Sequence, residues 1–263
     1  ICQELIRIDT SNYGDGSGPG EASAAEYVEA FLSGCGLEPE RFSTTSATRQ
    51  AVACRIPGQD PQAEALVIHL HLDVVPAIQS DWSVPAFEGA IHDGMVYGRG
   101  AVDMKDMDAM VLTVVQQWQR DGLKPRRDIV LLFVPDEEAG GRHGAHWVVD
   151  NRPDLLHGVT QGIGEVGGFS FQLDEERRLY MIETAQKGLA WLRLKATGTA
   201  GHGSLLSQDN AITRLSRTIA RIGAHEFPVQ LTPAVEQLLE AVCDAAGVPF
   251  DASDPESALE QLG

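Results

Sequence analysis

Residues 67–76 read VIHLHLDVVP. The run has the apolar filling of a buried strand, but it carries His69, His71 and Asp73 at alternate positions and closes at Pro76. Successive strand residues point to opposite faces, so these three polar side chains share one face. The wider stretch EALVIHLHLDV is nearly all apolar, as strands covered on both faces are. A lone buried histidine is ordinarily a satisfied core residue, and His69 reads that way. His71 and Asp73, just before a proline turn, read instead as a metal ligand and the carboxylate that accepts a hydrogen bond from its far ring nitrogen. That reading requires other ligands to arrive from elsewhere in the chain.

Working outward, helical and strand patterns alternate. A helix is expected within EASAAEYVEAFLSGCG, where Ala25, Val28, Phe31 and Leu32 recur at helical spacing and Gly36 ends it. Two short strands follow around residues 38–45 and 50–56, and residues 82–100 suggest a ribbon and loop. A helix over about 104–120 carries Met107, Met110, Val111, Val114 and Trp118 as its apolar positions. DIVLLFVPDEE is another buried strand, followed by a helix near 144–151 and a strand near 159–166. The alternation predicts an α/β fold with a mostly parallel mixed sheet flanked by helices. The pattern then changes. Leu192, Leu194 and Ala196 alternate with Arg193 and Lys195 as a half-solvated strand, and helices follow near 207–223 and 232–245. The boundary falls near Lys187, giving regions 1–186 and 187–263.

The acids lie where α/β proteins build sites, after strands: HLHLDVVP, PDEEAGG and GEVGG, with GRGAVDMKD opening a helix. Successive segments are about 30 residues apart, one βαβ step, so their ends can converge in one crevice. One His with Asp and Glu is a hard N/O donor set suited to Zn²⁺, Mn²⁺ or Co²⁺. Glu137 and Glu138 are adjacent and point in different directions, so one can bind metal while the other stays free as a general base. His143 and His146 sit three apart on an expected helix start, which accounts for them without metal.

HLDVVP, GRGAVDMK, PDEEAGG and GTAGHGS, in this order, resemble the motifs of the co-catalytic zinc exopeptidase family that includes aminoacylase-1, folate-cleaving glutamate carboxypeptidases, acetylornithine deacetylase and succinyl-diaminopimelate desuccinylase. LIRIDTSN and DNAITRLSRTIARI also look like family segments. The resemblance implies two divalent metal ions, zinc foremost with cobalt or manganese admissible. His71 and Glu165 would bind one ion, Glu138 the other, and Asp103 would bridge them at about 3.5–4 Å separation. Asp73 would orient His71, and Glu137 would be the base toward a metal-activated water and then the acid toward the departing amine. A cis peptide is implied after the bridging aspartate, at Asp103–Met104. His202, in AGHGS, would belong to an inserted smaller α+β lid or dimerisation domain and help hold the developing oxyanion in the partner's site, making a homodimer. The substrate class implied is a small peptide or an N-acyl amino acid.

The family completes its second metal with a histidine well past the lid, and no segment here matches it. The chain therefore reads as the first part of a discontinuous catalytic domain followed by the first part of the lid, and both ends read as cut. A truncated or non-catalytic homologue that binds metal or a partner without turnover is the competing expectation. A two-metal phosphoesterase is disfavoured, because no phosphate-cradling loop or basic cluster adjoins the motifs. The formal net charge of −18 argues against nucleic-acid or anionic-membrane partners. Four scattered cysteines read as reduced thiols of a cytoplasmic protein, and no apolar run approaches a membrane span.

Overall fold

Apolar runs and helical periods alternate through the first part of the chain; the runs form one sheet and the helices cover its faces. The computed structural model describes residues 1–166, 169–206, 209–228 and 230–262. Packing divides the chain into two units, Ile1–Glu165 and Val166–Gly263.

In chain order the first unit contains α1 (Cys2–Arg7), α2 (Ala22–Gly34), β1 (Glu40–Ser43), β2 (Gln50–Ile56), β3 (Ala65–His71), β4 (Ala90–His92), β5 (Met95–Tyr97), α3 (Lys105–Asp121), β6 (Ile129–Val134), α4 (Ala145–Asn151) and β7 (Val159–Ile163). Five strands form one mixed sheet in the order β1-β2-β6-β3-β7. β6 pairs antiparallel with β2 and parallel with β3, and β3 pairs parallel with β7. Val52, Cys54, Ile56, Leu70, Leu131 and Phe133 pack on one face against Val28, Leu32, Leu112 and Val115 of α2 and α3. On the other face Ala53, Leu132 and Val134 pack with Val148 of α4. Every residue of β6 is buried, which is why its sequence is an unbroken apolar run.

The N-terminal segment extends this framework past the end of β3. Asn12 N–H donates to Val74 O at 2.8 Å, and Thr10 Oγ1 donates to Leu72 O at 2.7 Å. α3 ends at Gly122, whose φ of 64° suits a residue without a Cβ. Its buried stripe is rotated from the expected one. Met107, Val111 and Trp118 do pack against the core, but Met110 and Val114 are exposed, while Lys105, Asp108, Leu112 and Val115 are buried. The buried polar residues account for the rotation: Lys105 turns inward to donate to the carbonyls of Leu5 and Ile8, and Asp108 is buried near it.

The second unit contains a hairpin of β8 (Ser170–Gln172) and β9 (Arg178–Tyr180), then α5 (Ala211–Gly223), α6 (Pro233–Ala246) and α7 (Pro255–Leu262). Asn210 caps α5 by accepting from the N–H groups of Ile212 and Thr213, and Thr232 caps α6 ahead of Pro233. Residues 207 and 208, at the start of the expected helix, lie outside the described residues. The strand expected through Leu192–Ala196 is not formed, and Leu189, Trp191 and Leu192 are exposed. A strand exists through its ladder, and among the described residues no neighbouring strand takes up these backbone groups. No helix of the described residues is long and apolar enough to cross a membrane.

Candidate metal centre

Parallel pairing puts the C-terminal ends of β3, β6 and β7 side by side. His71 is the last residue of β3 and pairs with Val134, the last of β6, so the Asp136–Ala139 turn leaves the sheet beside it. Glu165 follows β7 by two residues. Asp103 arrives from the loop that opens α3, and its peptide bond to Met104 is cis, as the resemblance implied. Buried Met104 also lies under the strand end, its Sδ accepting from the His71 main-chain N–H at 3.2 Å.

These segments meet at one imidazole. Nε2 of His71 lies 2.9 Å from Glu165 Oε2, 3.2 Å from Asp103 Oδ1 and 3.7 Å from Glu137 Oε2. The potential ligand atoms of His71, Asp103 and Glu138 lie within 4.8 Å of one another, as do those of His71, Glu137 and Glu165. The opposite ring nitrogen, Nδ1, is 2.9 Å from the main-chain carbonyl of Asp73. A carbonyl only accepts, so Nδ1 is the donor, and Nε2 is the ring atom that faces the carboxylates and would give up its proton to bind a metal ion. His71 is almost wholly buried, whereas the Asp103 side chain is 63% exposed, so the cluster opens to solvent on its acidic side.

Electrostatics match a place for positive charge. Burial opposes a charged His71, but hydrogen bonds to Asp103 and Glu165 and the charge of Asp73 outweigh it and raise the ring to about 11. Contact with His71 holds Asp103 below the usual carboxylate range, against partial burial. Burial and then the neighbouring Asp103 push Glu138 up to about 7. Glu137 is also raised, chiefly by burial, with the charge of His71 pulling the other way. A proton or a cation on this cluster relieves the same crowding of carboxylates.

Asp73 differs from its expected geometry. Its carboxylate Oδ1 is 3.6 Å from His71 Nδ1, too long for a hydrogen bond, and the main-chain carbonyl takes that role. The carboxylate turns instead to the main-chain N–H groups of Glu137 (3.0 Å) and Glu138 (3.2 Å) and to Asn12 Nδ2 (2.8 Å). Backbone amides out-compete the ring because the turn after β6 delivers two of them together.

Several residues beneath the cluster were missed in the sequence. Asn12, Glu21, Arg49 and Asp136 form a buried polar group under the turn, with Arg49 paired to Glu21. Lys105 is fully buried and donates to the carbonyls of Leu5 (2.9 Å) and Ile8 (2.7 Å). A family-like LIRIDTSN was the available signal for Asn12; Arg49 and Glu21 had none. His143 and His146 join neither ligand group, and the His143 main-chain N–H donates to Asp136. His202 belongs to the second unit, is exposed, and has Nδ1 2.9 Å from Ser204 Oγ. It is not among the residues brought together in the first unit.

One imidazole with only oxygen donors around it, its second nitrogen already anchored, fits a hard or borderline divalent ion such as Mn²⁺, Zn²⁺ or Co²⁺. Comparison with known proteins agrees in fold and sequence. Aminoacylase-1 of Sus scrofa is 35% identical over 167 residues, 63% of this chain and 40% of that protein. Aminoacylase-1A of Rattus norvegicus is 30% identical over 223 residues, 84% of this chain and 52% of that protein. The chain therefore spans about half the length of these relatives or less. Human carnosine dipeptidase 1 superposes with a TM-score of 0.54 at 20% identity, over 62% of this chain and 36% of that one. An M20 family metallo-carboxypeptidase from Sulfolobus solfataricus gives 0.50 at 24% identity, over 64% and 36%. At such identities the structural likeness speaks for the fold alone. The model of peptidase family M20/M25/M40 matches residues 67–258, most of the sequence, and the chain belongs to that family.

Proposed function

We propose that the protein is a metal-dependent hydrolase of amide bonds in small peptides or N-acyl amino acids. His71, Asp103, Glu138 and Glu165 would hold two divalent ions, zinc foremost, with Asp103 shared between them. The observation that carries this reading is the buried Nε2 of His71 facing carboxylates from three separate segments at 2.9–3.7 Å. Bound cations would supply Lewis acidity toward the scissile carbonyl and favour ionisation of water.

The chain's own residues do the proton work. Glu137, half-exposed and raised by burial, takes the proton of the attacking water and returns it to the departing nitrogen. The main-chain carbonyl of Asp73 holds the ring of His71, and its carboxylate holds the backbone of both glutamates. The aminoacylase-1 relatives support the substrate class. A cytoplasmic homodimer formed through the second unit, with His202 reaching the partner's site, completes the reading. Exposed Ile212, Ile219 and Ile222 along α5 support association there.

The test is full-length protein, stripped and reloaded with Zn²⁺, Co²⁺ or Mn²⁺, on dipeptides, N-acetyl amino acids and a generic phosphoester. Metal-dependent turnover of an amide is expected. Turnover of the phosphoester alone, or no metal-dependent turnover, would overturn the proposal.

A further inference from the structure

The buried polar group beneath the turn has one member whose hydrogen-bonding capacity is completely used. Nδ2 of Asn12 donates one hydrogen to Asp73 Oδ2 at 2.8 Å and the other to Asp136 Oδ1 at 3.2 Å. Its Oδ1 accepts from Arg49 Nη2 and from the Gly14 main-chain N–H, both at 3.0 Å. A primary amide has two hydrogens and two acceptor positions, so nothing is left over. Rotating the amide by half a turn would aim its oxygen at two carboxylates, which fixes its orientation. Asn12, Asp73 and Asp136 are each at most 5% exposed.

The two carboxylates it joins belong to different sides of the candidate centre. Asp73 follows His71 and accepts the N–H groups of Glu137 and Glu138. Asp136 begins the turn that carries those glutamates, adopts a left-handed φ of 72°, and accepts the His143 N–H at 2.9 Å. A buried pair of acids in adjacent segments repels. Asn12 converts that repulsion into a bridge by donating to both, and Arg49, anchored to Glu21, places a cation behind it.

We infer that Asn12 and Arg49 are positioning residues that lock the turn bearing Glu137 and Glu138 in register with the strand end bearing His71. Neither touches a ligand atom; both act through Asp73 and Asp136. The inference rests on the metal-centre reading above and adds that the spacing of its ligands is set from beneath by an amide and a guanidinium.

The experiment uses full-length wild type, Asn12→Ala and Arg49→Lys, each read by circular dichroism, thermal melting, chelator competition for Zn²⁺ and the visible absorption of the Co²⁺-loaded protein. Lysine keeps the charge but cannot donate in a fork to both Glu21 and Asn12. Both variants are expected to remain folded, to bind Zn²⁺ about 10–100-fold more weakly, and to shift the Co²⁺ spectrum. A role in stability alone would lower the melting temperature and leave affinity and spectrum of the folded protein unchanged, which overturns the inference. If Asn12→Ala does not fold, Arg49→Lys decides by the same two readouts. Wild type that binds neither metal overturns the metal reading and this inference with it, whereas wild-type affinity and spectrum in the folded variants overturn this inference alone.

Discussion

His71 Nε2 lies 2.9 Å from Glu165 Oε2, although 94 positions separate the two residues. The contact follows from the parallel pairing of β3 with β7, which sets their C-terminal ends side by side. Glu165→Ala should weaken Zn²⁺ binding by more than about 100-fold, beyond what losing a residue that only supports a ligand costs. Competition with a chromogenic chelator measures it. Unchanged affinity would remove Glu165 from the ligand set.

Glu137→Gln keeps the size of the side chain but exchanges one acceptor oxygen for an amide donor and so loses the base. The variant should retain its metal and lose about 10²–10⁴-fold in kcat. Normal amide hydrolysis by a metal-loaded Glu137→Gln protein would mean that another group takes the proton.

Glu21 supplies a pH dependence away from the ligands. Burial pushes its carboxyl up to about 8, despite the guanidinium of Arg49. A raised acid binds its proton more tightly in the folded chain than in the unfolded one. Its stabilising contribution is therefore full below the ordinary range near 4.5 and is lost as pH rises through about 8. Melting temperatures of wild type should fall across that window, and Glu21→Gln, which has no proton to lose, should flatten the fall. Parallel profiles would show that Glu21 does not titrate there.

Gly144 closes the turn that presents the glutamates. A Cβ at this position would sit 1.8 Å from the carbonyl oxygen of Pro135, a backbone atom that cannot move aside cheaply. Gly144→Ala should destabilise by about 1–3 kcal/mol, as overpacking does. It should also weaken metal binding, because Glu138 shares the displaced turn. Denaturant unfolding checks the first effect and chelator competition the second.

The sheet was legible because β3 and β6 carry unbroken apolar runs that only a two-sided core explains, and the ligand candidates were legible because they interrupt or directly follow such runs. Local pattern failed where a side chain's partner lies far along the chain. Lys105 and Asp108 look like the solvated face of α3, yet both are buried, Lys105 drawn in by the carbonyls of Leu5 and Ile8. Glu21 and Arg49 interrupt no pattern, so nothing local marks them as buried partners. Alternation places Asp73 on the face of His71, but whether its carboxylate or its carbonyl meets the ring depends on the backbone amides of a turn 64 residues later. The strand expected around Leu192–Ala196 shows the converse: alternation describes a face, and only a neighbour makes a strand.

Metal analysis of purified full-length protein, wild type beside His71→Ala, tests the central claim most directly. Two equivalents of a divalent transition metal per wild-type chain, with most of it lost in His71→Ala, is the predicted result. A wild type that takes up no such metal, or a folded His71→Ala variant with undiminished content, would contradict it.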